Sequence, residues 1–442
     1  MTRLLIGNDF SEDVRTDRGW TGWWVQRLVW FAEDDDVLVL PTAPEEAFVR
    51  YVTSLTGTRP ESLRFVVLPA GPADGGTLSA ARLVDEKLVA ATAKAIDGRE
   101  VETVFALWPD AAVARLTRSL GIATALPGYG FVDQAGGTMV NSKSAFRTIA
   151  SGVGVPLPPG AVCTSRDVAE TTIVELLNRY RQVIIKHDFL SGGHGNEILS
   201  TEPGVRPIGA RRTVTVDGRP DVRAYLDDRW EWLTSGSRSR PVVERYVRDS
   251  SAFFAEVSIT DEGIHTQGTG ELLSAPYAIG QVMPALGLEP EVLDTLVSAT
   301  HRLCEPLRAM GYRGLLAADA IVTPQREVLF TEYNGRVTGS THIYGRIGRK
   351  VVGDGYGTDR TILERVWPED WSVPSFSAAL ERVTAAGLAY DPATRAGVVF
   401  TNAFDNVKGV MYCIVMPTVD EAWQVEQSLK PVFGSDAGTV DA

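Results

Sequence analysis

Residues 314–336 read GLLAADAIVTPQREVLFTEYNGR. Two apolar runs flank Thr323, Pro324, Gln325 and Arg326, so the stretch predicts a β-hairpin. With Gln325 and Arg326 as a two-residue loop, Asp319 and Glu332 stand directly opposite each other. Paired side chains have Cβ atoms about 4.5–5.5 Å apart, where like charges destabilise unless something compensates them. A bound cation is the obvious compensator. Strand alternation puts Asn334 on the face of Glu332, and Arg336 too where the strand continues. Two carboxylates and an amide oxygen suit Mg²⁺, which takes oxygen ligands and completes its shell with water and phosphate. Arg336 adds a planar fork for phosphoryl oxygens. The competing reading is an exposed acidic pair in a slipped register. Against it, Leu315, Leu316, Ile321, Val328, Leu329 and Phe330 imply a buried sheet, where an unpaired carboxylate is costly.

Upstream, Val183 to Lys186 reads as a strand ending in a lysine, followed by the loop Ser191, Gly192, Gly193, His194, Gly195. Glycines let backbone N–H groups curl around an anion. The spacing is not that of a P-loop, and a flexible surface connection reads equally well. Lys143 opens a helix predicted over Ser142 to Ser151 that the prolines at 156, 158 and 159 end. Glu244, Arg245, Tyr246 and Val247 follow a strand and read either as a hinge whose backbone meets an adenine edge or as the exit of an edge strand.

Around these segments the pattern is α/β. Val37 to Leu40, Phe65 to Leu68 and Val104 to Leu107 predict buried strands, and Leu78 to Ala95 a helix, together an α/β layer with a parallel sheet. Glycines at 128, 130, 136 and 137 place a domain boundary near 138. Strands are expected at Phe253 to Ile259 and His265 to Glu271, a helix at Pro290 to Met310, strands near Val398 to Thr401 and Met411 to Val415, and a helix at Val419 to Leu429. The 442 residues suffice for two to four compact units. A net charge of −13 argues against nucleic acid as a general partner. No apolar stretch is long enough for a membrane span, and the N-terminus lacks a secretory apolar region, so a cytoplasmic location is expected. Cys163, Cys304 and Cys413 have no metal or disulfide spacing and read as buried thiols. Trp20, Trp23, Trp24, Trp230 and Trp232 read as packing aromatics, or alternatively as the lining of a substrate groove.

Taken in order, Lys143, Lys186 with its glycine loop, Glu244 to Val247, Asp319, and Glu332-Tyr333-Asn334-Gly335-Arg336 resemble the ATP-grasp superfamily, and within it the pheganomycin-type peptide ligases. The resemblance implies ATP between antiparallel sheets of an α+β ATP-grasp fold. It assigns residues 1–138 to a preATP-grasp α/β domain, 139–243 to the lid, 244–372 to the core with the metal site, and 373–442 to an α/β segment packing on that core. Lys143, Lys186 and Ser191 to Gly195 would hold phosphates, and Glu244 to Val247 adenine. Ser250, Ser251 and Glu256 all fit the ribose position, with Glu256 taken as the candidate. Asp319, Glu332 and Asn334 would bind two Mg²⁺ ions, with Mn²⁺ able to replace them. Arg336, Ser340 and His342 would act at the carboxylate and acceptor pockets. The implied activity is ligation of a small nonproteinogenic amino-acid carboxylate to a peptide amine through an acyl phosphate, in peptide natural-product biosynthesis. A homodimer is compatible with this. The rivals are a phosphotransferase, which would need no amine, and a nonenzymatic nucleotide-binding protein, which would lack the metal ligands or lysines.

Overall fold

The computed structural model describes residues 2–8, 23–68, 77–353, 355–403 and 411–434. Trp20 and the side chains of Trp23 and Trp24 lie outside the described residues. Three sheets follow one another along the chain. The first holds β1 (Thr2–Ile6), β2 (Val37–Leu40), β3 (Arg64–Val67) and β4 (Val101–Ala106), in the order β3-β2-β1-β4. All its pairs are parallel, as expected. The short apolar runs predict this, because a parallel strand is buried on both faces and Leu4, Leu5, Ile6 and Val37 to Leu40 are at most 1% exposed. The single helix expected from Leu78 to Ala95 is instead two, Ala80–Leu83 and Glu86–Ile96. Asp85 divides them by accepting hydrogen bonds from the Lys87 and Leu88 N–H groups, and so starts a new helix.

The second sheet holds β5 (Gly160–Val162), β6 (Gln182–Lys186), β7 (Asn196–Ser200), β8 (Arg212–Thr215) and β9 (Val242–Arg245), ordered β5-β9-β6-β7-β8. Helices Arg166–Tyr180 and Arg219–Leu233 cover it through a core of its own, including Ile173, Leu177, Val183, Leu226 and Val243. Trp230 and Trp232 pack against this core, which favours their packing reading.

The third sheet has eight strands: β10 (Ser251–Ile259), β11 (Ile264–Ser274), β12 (Ala278–Met283), β13 (Gly314–Val322), β14 (Val328–Asn334), β15 (Thr361–Val366), β16 (Gly397–Phe400) and β17 (Met411–Met416). Their order is β14-β13-β10-β11-β12-β15-β17-β16, antiparallel throughout. Alternation along β10 sorts its faces. Phe253, Ala255 and Val257 pack with Leu296, Leu303 and Leu307 of helix Pro290–Ala309, while Ala252, Phe254 and Glu256 take the opposite side. The tail does not form a layer of its own on the core. β17 pairs with β15 and extends the same sheet. One continuous core then joins Leu5, Trp30 and Phe48 near the first sheet to Phe376, Phe400 and Phe433 of the tail.

Candidate active site

The β13–β14 hairpin pairs Asp319 with Glu332, but by a different route from the expected two-residue loop. The loop has three residues, Pro324 to Arg326. Its closing pair is Thr323–Glu327, with the Thr323 N–H donating to Glu327 O at 3.0 Å and the Arg326 N–H to Thr323 O at 2.8 Å. Arg326 takes the left-handed conformation with φ +66°, the usual geometry of a three-residue hairpin loop. That loop alone would set Asp319 against Thr331 and turn Glu332 into the core beside Phe330. A β-bulge intervenes: Phe330 pairs with Ala320, Glu332 with Asp319, and Thr331 is the extra residue. The bulge brings Glu332 and Asn334 round to the cleft and leaves Thr331 O turned out of the ladder.

Around the pair, Asn334 Nδ2 donates to Asp319 Oδ2 at 3.2 Å, and Arg336 donates to Asn334 Oδ1 and, at 2.9 Å, to Asn141 Oδ1. The Arg336 guanidinium lies 4.4 Å from the centre of the Trp108 ring. Desolvation raises both carboxyls. In Asp319 the neighbouring Glu332 charge adds to it and keeps the group well above the carboxylate range, while in Glu332 the ammonium groups of Lys143 and Lys186 overcome it and hold the group low. Two carboxyls that cannot both ionise without help are what a hard cation stabilises. Among the described residues, no cluster of three or more His, Cys, Asp or Glu side chains forms a metal site. What the hairpin gathers is two acids and the Asn334 amide, whose oxygen accepts from Arg336 in this arrangement.

Lys143 and Lys186 both reach this hairpin. Lys143 Nζ lies 3.0 Å from Glu332 Oε2 and donates to Leu190 O at 2.7 Å. Its helix, Lys143–Gly152, is fixed by Asp188, which accepts from Ser142 Oγ at 2.9 Å and from the Ser144 N–H at 2.8 Å. Lys186 Nζ donates to Thr331 O, freed by the bulge, at 3.1 Å and lies 2.6 Å from Glu244 Oε2. Glu244, 1% exposed, is held on its other oxygen by Arg147 at 2.7 Å. Its side chain is thus a buried counter-ion for two cations. Its strand β9 lies between β5 and β6 rather than at an edge, which removes the edge-strand reading.

Gly192 and Gly193 adopt φ +64° and +84°, and a Cβ on Gly193 would stand 3.0 Å from Gly209 C, so this loop needs its glycines. The His194 ring stacks on Tyr277, with centroids 4.2 Å apart and planes 13° from parallel, and the Gly209 N–H donates to Pro276 O at 2.8 Å. The second sheet is thereby joined to the β11–β12 turn of the third. Between them lies a cleft of about 1320 Å³ lined by Lys186, Ser191 to His194, Glu244 to Val247, Ser250, Ser251, Asp319, Glu332, Asn334, Arg336 and Ser340.

Four candidates are not among its lining residues: Lys143, which reaches Glu332, Gly195 at the end of the glycine loop, Glu256 and His342. Glu256 is fully buried and accepts from Thr338, Ser340 and Thr341 hydroxyls at 2.8–3.2 Å, so it anchors the loop after the metal strand from beneath. It cannot meet a ribose there, and of the three ribose candidates only Ser250 and Ser251 face the cleft. His342 is 1% exposed, has no hydrogen-bond partner on either ring nitrogen among the described residues, and is kept neutral by burial and the Arg27 charge. It begins the π-helix Ile343–Val352. The three cysteines are buried free thiols, as expected. The reading missed Arg147, Asp188, Asn141 and Trp108, which position the named residues from distant segments. Only the apolar break at Thr331-Glu332 within a strand signalled its feature.

Residues 25–122 match the family model described as the Pre ATP-grasp domain, and residues 378–429 that of the PGM1 C-terminal domain. The L-propargylglycine--L-glutamate ligase of Streptantibioticus cattleyicolor is 26% identical over 350 residues, 72% of this chain and 67% of that protein. The biotin carboxylase domain of Hydrogenobacter thermophilus 2-oxoglutarate carboxylase, solved with MgADP, ADP and bicarbonate, superposes with TM-score 0.60 at 13% identity over 98% of this chain and 90% of the other. N5-carboxyaminoimidazole ribonucleotide synthetase from Thermus thermophilus does so with TM-score 0.56 at 14% identity over 98% of both chains. The fold is the ATP-grasp fold, preceded by its pre ATP-grasp domain.

Proposed function

We propose that this chain is an ATP-dependent carboxylate-amine ligase that joins an amino-acid carboxylate to the amine of an amino acid or peptide. The observation that carries this reading is the convergence of Lys143, Lys186 and Arg336 on the Asp319–Glu332 pair at one end of the cleft. The ligase relative supports the reaction class, and the two substrates in its name, L-propargylglycine and L-glutamate, support amino acids on both sides.

ATP would lie between the second and third sheets, its base against Tyr246 and Val247, its ribose near Ser250 and Ser251, and its phosphates under Ser191 to Gly195. Asp319, Glu332 and Asn334 would hold Mg²⁺, two ions with Mn²⁺ able to substitute, and the metal would neutralise phosphate charge. Lys143 and Lys186, which hold Glu332 and the Thr331 carbonyl, would contact the same phosphates. Arg336, held by Asn141, Asn334 and Trp108, would turn from Asn334 Oδ1 to the transferred phosphoryl oxygens as that amide oxygen takes up the metal. The substrate carboxylate attacks the γ-phosphorus and ADP leaves. The amine then attacks the acyl phosphate, loses a proton, and expels inorganic phosphate. The His194–Tyr277 contact, which joins the two sheets over the cleft, would help keep water from the acyl phosphate.

The test is release of ADP and phosphate from MgATP with pooled amino acids and peptides, followed by mass analysis. An amide product that requires both an acid and an amine supports the ligase. A phosphorylated product formed equally well without any amine would mark a phosphotransferase instead.

A further inference from the structure

Glu364 of β15 lies in one cross-strand row with Leu272, Gln281 and Cys413. It is 1% exposed and lines the cleft. Gln281 Nε2 donates to its Oε2, and its Oε1 has no hydrogen-bond partner among the described residues. An unmet carboxyl oxygen held away from water is costly, and one at a cleft wall can be satisfied by a ligand that enters the cleft.

The position follows from the metal strand. The chain leaves Arg336 through Val337 and Thr338 to Gly339, where a Cβ would stand 3.7 Å from Gln281 Nε2. The loop after the metal strand therefore reaches Gln281, the residue that holds Glu364. The chemistry of the ligand follows from the partners. Gln281 turns its amide N–H toward the carboxyl, which supplies a donor where a metal would need an oxygen. One carboxyl with a free acceptor suits an N–H cation. Burial also pushes the Glu364 carboxyl up to about 8, against the pull of the Gln281 hydrogen bond and the Arg27 charge, so a cation bound beside it would favour its ionised form.

We propose that Glu364, oriented by Gln281, receives the ammonium group of the amino-acid donor whose carboxylate is activated. This deepens the ligase reading and rests on it. The ammonium is not consumed in the reaction, so its recognition selects amino acids over simple carboxylic acids.

The experiment measures ADP release from MgATP by the wild type and Glu364→Gln with the common L-amino acids and L-propargylglycine, each beside the same acid lacking its amino group, with pooled amino acids as acceptors. The expected result is an amino-acid donor KM raised at least about tenfold in Glu364→Gln, with the KM for ATP unchanged within about twofold. The wild type's preference for the amino acid over its deaminated counterpart should collapse toward parity. Unchanged donor KM and preference overturn the subsite and leave the ligase reading standing. Absence of ADP release with every acid sinks the ligase reading, and the subsite is then decided on crystals of the full chain soaked in ethylammonium chloride. Density within hydrogen-bonding distance of Glu364 Oε1 in the wild type, missing from Glu364→Gln, sustains it. An Oε1 without bound ethylammonium in the wild type overturns it.

Discussion

Glu244 is closed in between Arg147 and Lys186, one cation on each oxygen. Removing one partner of a buried ion pair leaves a charge uncompensated, at a cost of about 3–5 kcal/mol. Arg147→Ala should therefore lower unfolding stability by roughly 3 kcal/mol, read from urea denaturation, and loosen the lysine that Glu244 positions. The hairpin acids serve chemistry instead: Asp319→Ala and Glu332→Ala should each reduce ADP formation more than about a hundredfold while far-UV circular dichroism stays that of the wild type. Full activity in either variant would refute the proposed metal site. Glu364 gives a pH signature. Burial raises its folded value from 4.5 to about 8, so the folded chain binds this proton more tightly than the unfolded chain does. The stability it confers is complete below about pH 4.5 and is lost as pH rises toward about 8. Glu364→Gln should match the wild type near pH 4 and then gain on it by roughly 1 kcal/mol per pH unit up to about pH 8. Parallel stability profiles would show that the carboxyl does not titrate in this way. The acids themselves were legible because ionisable groups in an apolar strand demand explanation. Arg147 and Asp188 were not, since they lie 97 and 44 residues from Glu244 and Ser144, and only the fold brings them together.

At the scale of elements, the hairpin shows why pairing can be read correctly through an incorrect turn. A three-residue loop shifts the register by one, and the bulge at Thr331 shifts it back. The apolar positions carry the evidence: Val328 and Phe330 are buried, and so is Tyr333, which breaks the strict alternation between Phe330 and Tyr333. Reading that break would have located the bulge and, with it, the carbonyl that meets Lys186. The glycine loop was ambiguous because its sequence suits both a mobile connection and a phosphate cradle. The left-handed Gly193 and its approach to Gly209 show a defined shape. Gly193→Ala should strain that shape by about 1–2 kcal/mol and cut kcat/KM for ATP about tenfold, checked by steady-state kinetics at saturating donor.

For the whole molecule, the distribution of cores predicts where the chain opens. The first sheet and the tail share one apolar cluster, which includes Leu5, Trp30, Phe48, Phe376 and Phe433, whereas the second sheet packs around a cluster of its own. Amides of β6, β7 and β9 should exchange with deuterium at lower protection than those of β1, β10 and β13, measured by native-state hydrogen exchange with mass analysis. Uniform protection across the three sheets would contradict this. The shared cluster was invisible in the sequence, where its members lie hundreds of residues apart. The local order of strands and helices was legible because hydrophobic periodicity is local.

His194 on Tyr277 and Gly209 on Pro276 join the second and third sheets through a ring stack and a backbone bond that belong to neither sheet's own core. Such a contact can part and re-form like a latch while both cores stay packed, and turnover is then paced by the passage of product through it as well as by bond making. Thickening the solvent would slow the first kind of step and spare the second.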